Sequence, residues 1–99
     1  MTGSELIARE RQRQIDVEGW TPEHDATHND CQLNWVAMAY MCAARLVLKN
    51  DPAATTSPAF WPWSQAWWKP SRDPIRNLVK AGALIAAEID RLQREQEKS

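Results

Sequence analysis

The stretch Phe60-Trp61-Pro62-Trp63-Ser64-Gln65-Ala66-Trp67-Trp68-Lys69-Pro70 decides how the rest of this chain folds. Four of the six tryptophans fall within eight residues here. Pro62 and Pro70 each remove a backbone donor and push the preceding residue out of helical geometry, so no helix runs through the segment. Each indole has a large apolar surface to bury and one N–H that needs a partner once buried. Two placements satisfy both demands: a plug that fills the core between helices, or the wall of a pocket. Ser57-Pro58 and Ser64 are each placed to cap a single turn inside or beside it.

Upstream, Asn29 to Leu48 is expected to form a long helix. Leu33, Val36, Tyr40, Ala43 and Val47 follow 3-4-3-4 spacing, and Trp35, Met38, Ala39, Cys42 and Leu46 line an adjacent face. Apolar residues thus cover most of the circumference, which predicts the central, most buried helix. Ala37, Ala39, Ala43 and Ala44 permit close helix approach, and Lys49-Asn50-Asp51-Pro52 ends the element. Downstream, Ser71-Arg72-Asp73-Pro74 supplies an N-cap and a proline at the first helical position. The helix that follows runs from Ile75 to Gln93, with Leu78, Ile85, Ile89 and Leu92 as its expected inward stripe and Leu84 and Val79 alongside. Gln93 to Ser99 reads as a fraying polar tail.

The first helix is expected over Ser4–Val17, with Ser4 as N-cap and Gly19 as the left-handed C-terminal residue. Its apolar stripe is thin (Leu6, Ile7, Ala8, Ile15, Val17), and its arginines, glutamines and glutamate read as a solvated face. Arg9 and Arg13, four residues apart, share one side of it, where they are candidates to meet an anionic ligand or a partner. No period-2 stretch, hairpin turn or internal repeat competes with these helices. The fold class is all-α, a single domain over 1–99 with three main helices and a Trp/Pro-rich irregular connection between the second and third.

Composition bounds the function classes. The formal net charge is −1 over 99 residues, which gives no global basic field for nucleic acid. No apolar run approaches the roughly 18–20 residues of a membrane helix. The first residues carry neither the basic nor the apolar region of a secretory signal. Cys31 and Cys42, eleven apart on one helix and so about 16 Å apart along its axis, cannot bridge each other. Both read as buried thiols suited to a reducing cytoplasm. Neither lies in a recognisable nucleophile motif, and no glycine-rich phosphate loop is present.

Two groups of residues are candidates for chemistry. Between the first two helices, Glu18, Glu23, His24, Asp25, His28 and Asp30 fall within thirteen residues. Oxygen and imidazole ligands of this kind suit Mg²⁺, Mn²⁺ or Zn²⁺. Glu23, Asp25 and His28 are the candidate metal ligands, and His24 or His28 the candidate acid/base groups. The bland reading of the same residues is loop and helix capping, with Thr27-x-x-Asp30 opening the second helix. The second group is Trp67-Trp68-Lys69, where aromatic faces beside a cation are suited to a nucleobase and its phosphate. Lys80, inside an apolar run, reads as a snorkelling lysine.

Glu10-Arg11-x-Arg13-Gln14, Glu18-Gly19-Trp20-Thr21-Pro22-Glu23-His24-Asp25-x-x-His28, Trp61-Pro62-Trp63-x-x-x-Trp67-Trp68-Lys69-Pro70 and Leu78-Val79-Lys80-Ala81-Gly82-Ala83-Leu84-Ile85 together resemble a widespread group of small phage and prophage proteins. The resemblance spans nearly the whole chain. More loosely, the chain is similar to all-α nucleoside triphosphate pyrophosphohydrolases of the MazG-like kind, which hold Mg²⁺ with paired carboxylates. Here Gln32 stands where a glutamate would be expected, and Glu88 and Asp90 are two apart and do not share a helix face.

Three functions follow as expectations. The first is a phage accessory protein of the host cytoplasm that binds a small nucleotide-like anion without turnover and sequesters a host-defence signal. Its contacts would be Arg9, Arg13, Trp20, His24, His28, Trp67, Trp68 and Lys69. The second is a metal-dependent nucleotide hydrolase using Glu18, Glu23, Asp25 and Asp30. The third is an inhibitor of a host protein that uses the polar first helix as its contact surface. A three-helix chain this small is also expected to complete its core as a homo-oligomer.

Overall fold

A computed structural model describes residues 1–19 and 31–98. Three α-helices make up the architecture: α1 (Gly3–Glu18), α2 (Gln32–Leu48) and α3 (Pro74–Glu97). Two single 3₁₀ turns, Pro52–Thr55 and Gln65–Trp67, punctuate the connection between α2 and α3. Among the described residues there is no β-strand and no helix long and apolar enough to cross a membrane.

Local chemistry sets most of the boundaries. Thr2, not Ser4, caps α1. The Glu5 N–H donates to Thr2 Oγ1 at 3.2 Å and the Thr2 N–H donates to Glu5 Oε1 at 2.9 Å, a reciprocal capping box that Thr2-x-x-Glu5 encodes. Gly19 ends α1 in the left-handed region at φ 71°. At α3, Asp73 caps the helix through the Ile75 N–H (2.9 Å) and Pro74 takes the first turn. The start of α3 is also clamped. Fully buried Asn77 accepts from the Ser71 N–H and donates to the Ser71 carbonyl, both at 2.8 Å. The helix continues to Glu97 rather than fraying at Gln93.

The core forms where α2 and α3 pack antiparallel. Leu33, Val36, Tyr40 and Leu84 meet there among Ala37, Ala39, Ala81 and Ala87, so small residues let the two helices approach closely. α2 is central, as its composition predicts, but only on one side. Trp35, Met38 and Met41 remain 41%, 46% and 48% exposed. The expected inward stripe of α3 is overturned. Leu78, Ile85, Ile89 and Leu92 all lie at 44–50% exposure, while Ala81, Leu84, Ala87 and Glu88 take the buried side. The large aliphatic residues would hold α3 too far from α2, and the alanine-rich face wins that contact.

The aromatic stretch is mainly a plug. Trp61 is buried, with Trp63 and Trp68 half-buried against the same core. Trp61 packs on Trp68 (4.9 Å between centroids), and Trp68 packs on Tyr40 (5.0 Å). Every indole N–H of this trio is satisfied: Trp61 donates to the Ser64 carbonyl, Trp63 to Gln32 Oε1 and Trp68 to the Thr55 carbonyl, all at 3.0–3.1 Å. Ser64 caps the turn Gln65–Trp67 as its position predicts.

Two further expectations fail. Cys31 is exposed, in a left-handed conformation (φ 63°) at the N-cap of α2, and Cys42 is only half-buried, so neither is a core thiol. The polar side of α1 is only partly solvated: Arg9, Gln12 and Asp16 are exposed, but Glu10 and Gln14 are buried. Apolar Val17, by contrast, is 71% exposed.

Candidate functional site

The buried polar face of α1 builds a cleft with the end of the aromatic stretch and the middle of α3. Arg13 and Glu18 come from α1, Trp67 and Lys69 from the connection, and Arg76 and Lys80 from α3. The opening is a wide, solvent-facing one of about 550 Å³. At its floor, Glu10, Gln14, Tyr40 and Leu84 line a recess that narrows to roughly the size of a water molecule.

Glu10 is the anchor. Its carboxylate is 1% exposed and takes charged hydrogen bonds from three directions. Arg13 Nε reaches Oε1 at 2.8 Å and Arg13 Nη2 reaches Oε2 at 2.9 Å, a bidentate fork, while Arg76 Nη1 reaches Oε1 at 2.7 Å. Gln14 Nε2 adds a bond to Oε2 at 3.2 Å. Burial pushes the Glu10 carboxyl up, but the bonds from Arg13 and Arg76 outweigh it and hold the group below its ordinary value of 4.5. The Arg13 guanidinium is held charged by the same pair, and it also reaches Glu18 Oε1 at 3.2 Å. Gln14 Oε1 is buried with no hydrogen-bond partner, beside this network in the recess.

Two lysines complete the cleft. Lys80 Nζ donates to the Lys69 carbonyl at 2.6 Å and lies 5.3 Å from the centre of the Tyr40 ring. Burial, and next the nearby Arg76, lower its pKa. Lys69 Nζ lies 5.9 Å from the centre of the Trp67 ring, and its backbone N–H donates to Tyr40 Oη at 3.2 Å. Among the described residues, neither lysine pairs with a carboxylate. The described residues of the cleft thus carry Arg13, Arg76, Lys69 and Lys80 against Glu10 and Glu18, a surplus of two positive charges among them. Trp67 is its exposed aromatic face, at 46%.

Of the residues singled out from sequence, Arg13 and Glu18 of α1 and Trp67 and Lys69 of the connection converge here. Trp68 sits instead inside the aromatic plug. Arg9 lies in a neighbouring groove between α1 and α3, with its guanidinium on Met1 Sδ. Trp20, Glu23, His24, Asp25, His28 and Asp30 lie outside the described residues, and with them the candidate metal set. Among the described residues no cluster of three His, Cys, Asp or Glu side chains is placed to hold a metal.

Sequence reasoning missed Glu10, Gln14, Tyr40 and Arg76 as cleft residues and read Lys80 as a bystander. The available signal was the thinness of the α1 stripe. A helix with so few apolar residues that still docks must bury something polar, and buried polar groups come with partners. Comparison with protein-family models, curated proteins and solved structures finds no match, so the functional argument rests on the cleft.

Proposed function

We propose that the chain binds a small nucleotide-like anion in this cleft and holds it without turnover. The observation that carries the reading is the meeting of Trp67, Lys69 and Lys80 at one opening, with both ammonium groups unneutralised by any described carboxylate. Trp67 offers a π-face for a base, and the lysines offer donors and charge for a phosphate. Arg13 and Arg76 point their charge at Glu10 and serve to keep the floor rigid and the field positive. In a protein that resembles small phage proteins, such a cleft suits the sequestering of a host-defence nucleotide signal.

The rival reading, metal-dependent hydrolysis, needs carboxylates free to coordinate Mg²⁺. Glu10 and Glu18 are both committed to arginine, which favours binding over turnover at this part of the cleft. Calorimetric titration with a panel of mononucleotides and cyclic nucleotides tests the proposal. At least one should bind, with affinity reduced about tenfold or more by Trp67→Ala and by Lys69→Ala. No binding across the panel, or binding indifferent to both substitutions, rejects it. Nucleotide turnover that stops with EDTA would establish the rival instead.

A further inference from the structure

α2 and α3 run antiparallel, with Val47 beside Arg72, Tyr40 beside Lys80, and Cys31 within electrostatic range of Arg91. One side of this pair is covered, since α1 packs on α3 and the aromatic stretch packs on α2. Among the described residues the other side is bare. On α2 it carries Asn34, Met38, Met41, Arg45 and Leu48, in 4-3-4-3 spacing and all exposed. On α3 it carries Ile75, Leu78, Gly82, Ile85, Ile89 and Leu92, in 3-4-3-4-3 spacing. Of these only Gly82 is partly covered, because Ile7 of α1 leans over it. At about 100° per residue, each stripe sits roughly a third of a turn, in the same angular sense, from the residue facing the partner helix (Tyr40 or Leu84). In two antiparallel helices, equal offsets of the same sense place both stripes on one face.

We propose that this face is the interface with a second copy of the chain, so that two α2–α3 pairs close into a four-helix layer. A sustained 3.5-residue repeat is the spacing of a seam that another helix fills. Here α3 carries it throughout, and α2 carries it at Met38, Met41 and Leu48, with polar Asn34 and Arg45 at the other two positions. The same face of a second copy, turned by a two-fold axis, presents two antiparallel helices with matching spacing. The area agrees. Eight apolar side chains at about half exposure amount to on the order of 700 Å² per copy, close to the ~800 Å² per partner of a standard stable interface and above the largest patch of an ordinary monomer. The chain's own core shows the same division: eight of its fourteen buried apolar residues are alanine, while Leu48, Leu78, Leu92, Ile75, Ile85 and Ile89, all exposed, lie on this face.

Sedimentation equilibrium of the full chain at tens of micromolar should give at least twice the 11.3 kDa chain mass. The double variant Ile85→Glu/Ile89→Glu should lower that mass while circular dichroism stays helical, because both side chains lie outside the core. Met38→Glu, on α2, should lower it independently. Val17→Glu, exposed but on α1 and away from this face, should leave it unchanged. A monomeric wild type overturns the proposal, as does an oligomer whose mass survives both the α3 and the α2 variants.

Discussion

α1 turns Glu10 and Gln14 inward and leaves Val17 in solvent, whereas α3 turns alanines inward and leaves Leu78, Ile85, Ile89 and Leu92 outside. The two helices touch, yet they invert the usual rule in opposite ways. On α1 the inversion is balanced by partners, because each buried charge has a counter-charge within hydrogen-bond reach. On α3 the described residues supply no such balance for the exposed aliphatic stripe. The buried charge of α1 is therefore balanced within one chain, although Gln14 Oε1 has no described partner, and apolar exposure is what calls for a neighbour.

The sharpest test of that contrast lies within α3 itself. Leu84 is 1% exposed in the core against α2, and Leu78 is 47% exposed. Leu84→Ala should cost about 3–5 kcal/mol in urea denaturation, since it empties space between two closely packed helices. In a dilute sample, where association is suppressed, Leu78→Ala should cost under about 1 kcal/mol. At high concentration the Leu78→Ala cost should grow. Equal costs at both positions would mean that the assignment of the two faces is wrong.

The α1 side of the contrast is tested by removing its anchor. Glu10→Ala strands Arg13 and Arg76, and because both arginines reach solvent in part, the expected loss is about 2–3 kcal/mol, below that for a fully enclosed pair. Acid should reproduce it. The folded-state pKa of Glu10 is lowered, so its contribution is complete above its ordinary value of 4.5 and disappears as pH falls through the lower folded value. Glu10→Gln should flatten that part of the stability-against-pH curve. If wild type and Glu10→Gln lose stability in parallel below pH 4.5, the carboxylate is not what secures α1.

These tests also show where the sequence was legible. Proline and cap chemistry located the start of α3 at Asp73-Pro74, Gly19 ended α1, and indole size narrowed the aromatic stretch to a plug or a pocket wall. Those signals are local, and local chemistry decides them. The choice between the two apolar faces of α3 is not local. Ala81, Leu84 and Ala87 win against larger neighbours only because α2 offers its own alanines at the matching height. The cleft was hidden for the same reason: Glu10 reads as solvated until Arg76, sixty-six residues away, is seen to reach it. Arg13, Trp67 and Lys69 were identifiable because arginine and aromatic-cation pairs point to anions in any fold, whereas Tyr40 and Lys80 join the site through packing alone.

The smallest effect is expected where the two regions meet. Gly82 occupies a seam position on α3, and a Cβ there would come 2.6 Å from Ile7 Cδ1 and 2.8 Å from Ile7 Cγ1. Cδ1 is the end of a half-buried side chain, but Cγ1 sits on the branched Cβ and moves only with the stiff χ1, so Ile7 must shift at a cost that offsets the up to about 1 kcal/mol of helix propensity that alanine recovers. Gly82→Ala should therefore change stability by less than about 1 kcal/mol. Combined with Ile7→Ala, which removes the clash, the alanine at 82 should become stabilising relative to glycine. The sign of that coupling decides which neighbour the glycine serves. If Gly82→Ala remains destabilising after Ile7 is cut back, then it is not α1 that requires the missing side chain, and the close approach belongs to the face proposed for the second copy.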